Sequence, residues 1–498
     1  MKSDIIVIGG GAAGLLAALG AARTLATSEN GGTVTVLEKM PKAARKLMIT
    51  GKGRCNFTNV KPWEDFEAHI CTDPNFVSPA WHNLTPEKLI GLLRENGLKS
   101  VIERGDRAFP ESHRASDVVD TLVRACTLQG VRIVNGCEVR SITPTAKGFS
   151  LEGVLTTVKE RRFRDPERPW AAPQVKTETT IEPVAYSCAK LIVATGGLSY
   201  PGTGSTGDGY RWAADMGHTL VPCLPSLTAL VPVGYKQEPG TGAQIKAAFR
   251  SRTVYGRSTE RKVAPLPASY PKFEKHIERI TPLTDLGEQF NGNTLENVRL
   301  SIFIGGNESE SAFGDIEFTD GGLEGPLGFQ LSRKAVKALC DGQKVSAVID
   351  LKPAVDIEKL RADIRERWAS VKADPRSKGQ PTGRLVRILL GKLIPWNLTN
   401  AFLRTNPRIE PEKLADALKN WKLDIAGFVG FERCVVTAGG ISTGEVIAKT
   451  LESKKQSGLY FAGEVLDMDC DTGGYNLQTA FCTGYLAGES AAKSYLKI

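Results

Sequence analysis

The chain has 498 residues, 41% hydrophobic and 24% charged, a composition that suits globular domains and a length beyond one ordinary core. Its 64 Lys plus Arg against 55 Asp plus Glu leave a formal charge of +9, too thinly spread to mark a nucleic-acid binder. The ten Cys include no C-x-x-C and no His pair stands at metal-ligand spacing, which argues against a zinc site, a dithiol centre or a disulfide scaffold and fits a reducing cytoplasm.

The first element is "DIIVI", a strand that runs into Gly9-x-Gly11-x-x-Gly14 and then into the Ala/Leu-rich helix "LLAALGAARTL". Together they make an uncharged stretch from Ile5 to Ala22 that a hydropathy scan flags as a membrane span or leader. Three successive glycines split it into strand and helix, so no membrane segment is expected. The strand "TVTVLEK" follows and ends at Glu38, 24 residues beyond Gly14. This order suits a dinucleotide: Gly9 allows the turn, Gly11 lets the backbone approach a pyrophosphate, Gly14 lets helix and strand pack closely, and Glu38 accepts from ribose hydroxyls.

Two later strands return Gly-terminated turns to this domain, "KLIVATGG" with Thr195 and Gly196, and "SGLYFAGEV" with Gly463 and Glu464. Distant returns suit an extended FAD, which needs chain for its isoalloxazine as well as its adenosine. A second Gly202-x-Gly204-x-x-Gly207 lacks an adjacent preceding strand and a following strand with an acid, and reads as a loop capping a helix. The basic run Lys159 to Arg168 is broken by acids and a Pro and reads as a surface hairpin.

From Leu220 to Leu351 β-branched segments alternate with Gly-rich turns, a β-rich domain. The period then becomes helical in Ile357, Leu360, Ile364, Trp368 and Val371, again in "TGRLVRILLGKLI", and in "PEKLADALKNW". Near the end, "DTGGYNLQTAFCTGYLAG" is a Gly turn opening a helix with Leu477, Ala480, Phe481 and Leu486 at helical spacing.

Four motifs together resemble the BaiN/RdsA family of FAD-dependent oxidoreductases, also described as aminoacetone-oxidase-family flavoproteins. They are the fingerprint with "TGKGRCNFTN", "FPESHRASDVV", "YPGTGSTGDGY", and "VTAGGISTGEV" with "LYFAGEVLDMDCDTGGYNLQTAFCTGYLAG". The resemblance implies an α/β fold, a Rossmann-like FAD-binding domain of the two-dinucleotide-binding-domain type with an inserted β-rich domain and a small helical domain. The expected bounds are 1–219 and 450–498 for the FAD-binding domain, 220–354 and 430–449 for the β-rich domain, and 355–429 for the helical one.

With the fingerprint, the resemblance implies a cofactor set of Gly9, Gly11, Ala13, Gly14, Glu38, Lys39, Lys46, Gly53, Arg54, Asn56, Val139, Thr195, Gly196, Gly463, Glu464, Gly474, Asn476 and Leu477. In that set Arg54 and Asn56 offer donors to FAD, and the backbone of Asn476 and Leu477 faces the flavin N1/C2 carbonyl region. Asp320 and Glu324 depart from the family's Phe-Thr-His and Gly-Leu-Ser-Gly-Pro pair, and the segments 236–292 and 158–184 are enlarged. The activity implied is hydride transfer between flavin N5 and a small organic substrate, foremost an NAD(P)H-supplied reduction of an activated C=C bond. Tyr200, Tyr475 and His113 are the candidate proton donors. An amine or amino-ketone oxidase using O2 and an RNA-modifying flavoprotein are the alternatives. No nucleic-acid partner, membrane or metal is expected.

Overall fold

A computed structural model describes residues 1–29, 31–163, 174–237 and 273–498, with only the backbone of 160–163 and 174–176. Most of the expected 236–292 insertion and the part of the basic run from 164 to 168 therefore lie outside the described residues. The chain divides into two compact units, Met1–Cys223 with Val436–Ile498, and Leu224–Val435.

The first unit is built on a five-stranded parallel sheet in the order Leu459–Phe461, Lys190–Val193, Ile5–Ile8, Val34–Glu38, Arg132–Asn135. Ile5 to Ile8 are all buried, as expected of a strand covered on both faces, which explains why the stretch is continuously apolar rather than alternating. The helix Ala12–Leu25 follows, and all but two of its residues are buried. It lies against the C-terminal helix Tyr475–Leu496 through residues with almost no side chain. A Cβ on Gly484 would fall 2.1 Å from the carbonyl oxygen of Ala13, and one on Gly488 would fall 1.9 Å from that of Ala17. The backbones therefore touch, and the hydropathy peak is a helix buried in protein. Among the described residues no helix is long and apolar enough to cross a membrane.

The described parts of the segment expected to be enlarged at 158–184 lie in two long antiparallel strands, Gly148–Phe163 and Gln174–Cys188, the first of which also pairs with Cys137–Thr145. A smaller antiparallel sheet joins Thr58–Asn59, Arg107–Pro110 and Ser100–Glu103.

The second unit is a closed six-stranded barrel: Leu230–Pro232, Gly322–Glu324, Asn307–Thr319, Asn293–Ile304, Val345–Asp350 and Trp421–Phe428. The helix Gly325–Cys340 and the helices Ile357–Ala373, Thr382–Leu390, Thr399–Thr405 and Leu414–Lys419 share its core. Two features differ from the sequence expectation. The helical period of "PEKLADALKNW" stops at Lys419, and Trp421 opens the closing barrel strand, because its indole is wanted in the barrel core. The stretch 430–449 is divided, with the strand Val436–Ile441 lying in the first unit.

Trp421 is fully buried, stacks on Phe290 at 5.5 Å, meets Phe402 at 5.1 Å, and donates its indole N–H to Thr405 Oγ1 at 2.8 Å. Barrel and helices thus meet in one ring. Trp421→Ala is expected to lower stability by about 3–5 kcal/mol, the usual cost of emptying such a site, seen as a lower urea midpoint.

Candidate active site

All the expected cofactor residues fall in the first unit. At the fingerprint, Gly9 has φ +100°, and a Cβ there would sit 2.4 Å from the carbonyl oxygen of Ala194. A Cβ on Gly14 would sit 1.8 Å from the carbonyl oxygen of Gly9, so both glycines are dictated by close packing of turn, helix and neighbouring strand. Gly11 is different. No described atom lies within 4 Å of where its Cβ would be, so the absent side chain leaves open space at the helix N-terminus. No side chain among the described residues caps that helix, which leaves its first amides for an anion.

Glu38 ends the second strand with its side chain buried. Its carboxylate accepts from the backbone amides of Gly10 and Met40, each at 2.7 Å. Burial pushes this carboxyl above its ordinary range, against the pull of those two amides and of Lys39 and Arg45. Each oxygen keeps a lone pair beyond its amide bond, the capacity a ribose hydroxyl requires. Lys39 turns to the second Gly-rich loop, where it pairs with Asp208 at 2.7 Å and donates to Thr206. That loop caps the helix Asp208–Asp215.

The returns are tied together by one partly buried network. Lys46 pairs with Glu464 at 2.6 Å and also donates to Ser199 Oγ. Glu464 in turn accepts from Ser199 Oγ at 2.5 Å and from the Thr437 amide at 2.8 Å, and Thr437 Oγ1 accepts from the amides of Leu198 and Ser199. Thr195 and Gly196 lie just upstream, with the missing Cβ of Gly196 2.8 Å from Ser205 Oγ. Gly463, at φ +74°, presses on Ala13, 2.7 Å from its Cβ. Val139 is buried in the strand beside the hairpin. Sequence reading missed Ser199 and Thr437. Both are small hydroxyl residues beside Gly-terminated strands, which is the only trace they leave.

The loop after Lys46 is backbone-strained. Gly51, Lys52, Gly53 and Cys55 all take positive φ, at 56°, 57°, 88° and 58°. For Lys52 and Cys55 this costs on the order of 1 kcal/mol each, and such strain persists where the surrounding structure enforces it. Arg54 extends to Glu103 and to Nδ1 of His113 at 3.0 Å, with its guanidinium 4.4 Å above the Phe109 ring. His113 and Arg54 are therefore together, at the exposed side of this loop.

Asn56 turns inward, and its Oδ1 is buried without a hydrogen-bond partner among the described residues. A Cβ on Gly474 would come within 2.9 Å of that oxygen, so it lies at the N-terminus of the C-terminal helix. Asn476 closes the preceding turn, donating to the carbonyls of Cys470 and Asp471 and accepting from the Cys470 amide. No described side chain caps this helix, so the amides of its first turn, including that of Leu477, keep their positive end uncompensated. Tyr475 is buried, its ring stacked on His69. Tyr200 sits at φ 51° at the start of the Gly-rich loop.

These observations fit FAD. Both helices open on bare N-termini, and they touch backbone to backbone through Gly484 on Ala13 and Gly488 on Ala17. One bare N-terminus suits a pyrophosphate and the other, beside an orphaned buried oxygen, suits the far end of an extended cofactor. Fold and site together define an FAD-binding Rossmann flavoprotein.

The chain matches the family described as HI0933-like protein Rossmann domain over residues 3–163 and 169–490, and it belongs to that family. It is 30% identical over 493 residues to the 3-dehydro-bile acid delta(4,6)-reductase of Clostridium scindens, covering 98% of each chain. It is also 26% and 27% identical to the ribosomal RNA dihydrouridine synthases of Haemophilus influenzae and Escherichia coli, covering 99% of each chain. The protein is a flavin oxidoreductase.

Two outcomes are expected here. Gly11→Val, which meets no protein atom at its Cβ, should leave the fold intact and remove FAD, read as loss of flavin absorbance from a protein with unchanged circular dichroism. Cys55 is fully buried and burial pushes its thiol up to about 12, so native protein at about pH 8 should leave it unlabelled by iodoacetamide in peptide mass spectra while the unfolded chain is labelled.

Proposed function

We propose that this enzyme reduces a carbon–carbon double bond conjugated to a carbonyl group in a small organic molecule, with NAD(P)H as electron source. What carries the reading is that its full-length relatives share one chemistry under different names. A 3-oxo steroid with delta(4,6) unsaturation and the uracil ring both place a C=C bond beside a carbonyl. FAD, when bound, would supply the hydride-transfer chemistry.

The chain's own residues then have distinct tasks. The bare helix N-terminus at Ala12 and the space over Gly11 hold the pyrophosphate, and Glu38 fixes the ribose. Lys46 and Glu464 lock the turns that shape the flavin end. The N-terminus at Tyr475 favours negative charge next to it, and Asn56 offers a polar contact at the same place. Arg54 Nη2 is turned to Glu103 and His113, and the other N–H groups of its guanidinium are the donors this reading assigns to the cofactor.

A second reading, a uridine base of RNA as substrate, has the two dihydrouridine synthase relatives in its favour. One anaerobic experiment separates the readings. NADH or NADPH should bleach the oxidised flavin absorbance, and a 3-oxo-4,6-diene bile acid or 2-cyclohexenone should restore it stoichiometrically. Restoration by an unmodified ribosomal RNA transcript alone favours the second reading. Turnover only with amines and O2, with hydrogen peroxide released, makes the enzyme an oxidase instead.

A further inference from the structure

Residues 69–71 and 469–471 run antiparallel, bridged at Ile70 and Cys470, with the Cys71 amide donating to Asp469 O and the Asp471 amide to His69 O, each at 2.9 Å. This pairing sets His69 opposite Asp471 across 402 residues of sequence. Their side chains meet, His69 Nδ1 lying 2.9 Å from Asp471 Oδ2. A carboxylate on Nδ1 fixes the ring and leaves Nε2 as the working nitrogen. Lys61 Nζ lies 3.4 Å from Nε2.

The imidazole is stacked on Tyr475, with centroids 4.2 Å apart and planes 23° from parallel, and Tyr475 is braced edge-on by Phe66. The pair is not sealed in: the His69 side chain is 27% exposed and that of Asp471 20%. Its location is also fixed. Tyr475 is the first residue of the C-terminal helix, and Asn476 holds the Asp471 carbonyl at 3.0 Å. An oriented, partly open histidine therefore stands at the helix N-terminus that receives the flavin end of the cofactor.

We propose that His69 is the proton donor of the reduction and that Asp471 is its positioning residue; the proposal rests on the conjugated-reduction reading above. When bound and reduced, FAD would supply hydride to the β-carbon of the substrate; His69 Nε2 then gives its proton to the α-carbon, where the electron pair of the C=C π bond forms the new C–H bond. Asp471 stabilises the protonated ring, and Lys61 returns a proton to it from solvent. The Cys71 thiol lies 3.8 Å from the other Asp471 oxygen, and Asp65 and Asp106 act on the neighbouring Tyr475. Tyr475 thereby becomes the platform for the donor rather than the donor.

The test uses full-length holoenzyme carrying His69→Gln or Asp471→Asn, and reads three quantities: FAD content, reduction by NAD(P)H, and anaerobic reoxidation by the acceptor that wild type reduces. FAD content and reduction should stay within about twofold of wild type. Reoxidation should slow about 100-fold or more in His69→Gln, within the usual range for a lost general acid, and about tenfold in Asp471→Asn, which keeps the acid but not its orientation. Reoxidation of His69→Gln within about threefold of wild type overturns the proposal. If that variant loses FAD, an unslowed Asp471→Asn overturns it instead. A wild type that NAD(P)H reduces but no conjugated acceptor reoxidises overturns the functional reading itself, and this proposal with it.

Discussion

Everything in the first unit depends on two helices touching backbone to backbone. Ala13 and Ala17 of the fingerprint helix face Gly484 and Gly488 of the C-terminal helix, with no room for a single added carbon. Packing that close fixes the axial offset of the helices to within a residue, since sliding by one would drive a side chain into a carbonyl. The distance between two bare N-termini is therefore set by small residues and not by the loops in front of them. A ruler of this kind suits a cofactor with an anion at one end and a ring system at the other.

The loops that complete the site are held by charge rather than by apolar burial. Lys46, Glu464, Ser199 and Thr437 come from four separate segments and satisfy one another almost completely. Such a network is costly if one member is removed, because the remaining carboxylate is left partly desolvated. Shortly after Lys46 in the chain, Lys52 and Cys55 take a left-handed conformation and the Asn56 Oδ1 is buried.

Much of this was readable before any coordinates, and the boundary between what was and was not is physical. The fingerprint, its helix and the Gly-terminated strands are local patterns, and a glycine that must bring backbone onto backbone leaves a mark at its own position. Glu464 could be picked out as a turn residue, but its partner Lys46 lies 418 residues away, and nothing in either neighbourhood names the other. His69 was passed over for the same reason, since only the antiparallel pairing of 69–71 with 469–471 makes it the neighbour of an acid. Trp421 misled because a large apolar residue one turn after Leu418 continues a helical stripe, whereas barrel closure decides its backbone. Tyr475 was readable as a residue near the flavin end but not as a stacking platform.

The interlocked helices also order the birth of the molecule on the ribosome. The fingerprint helix is made well before residues 475–496, so its apolar flank has no cover until these have left the exit tunnel, and its sheet also waits for the strand Leu459–Phe461. The barrel unit, whose segments lie between 224 and 435, is complete earlier. Nascent chains thus carry an unfinished nucleotide domain, with an apolar helix flank uncovered, while the barrel unit is already whole.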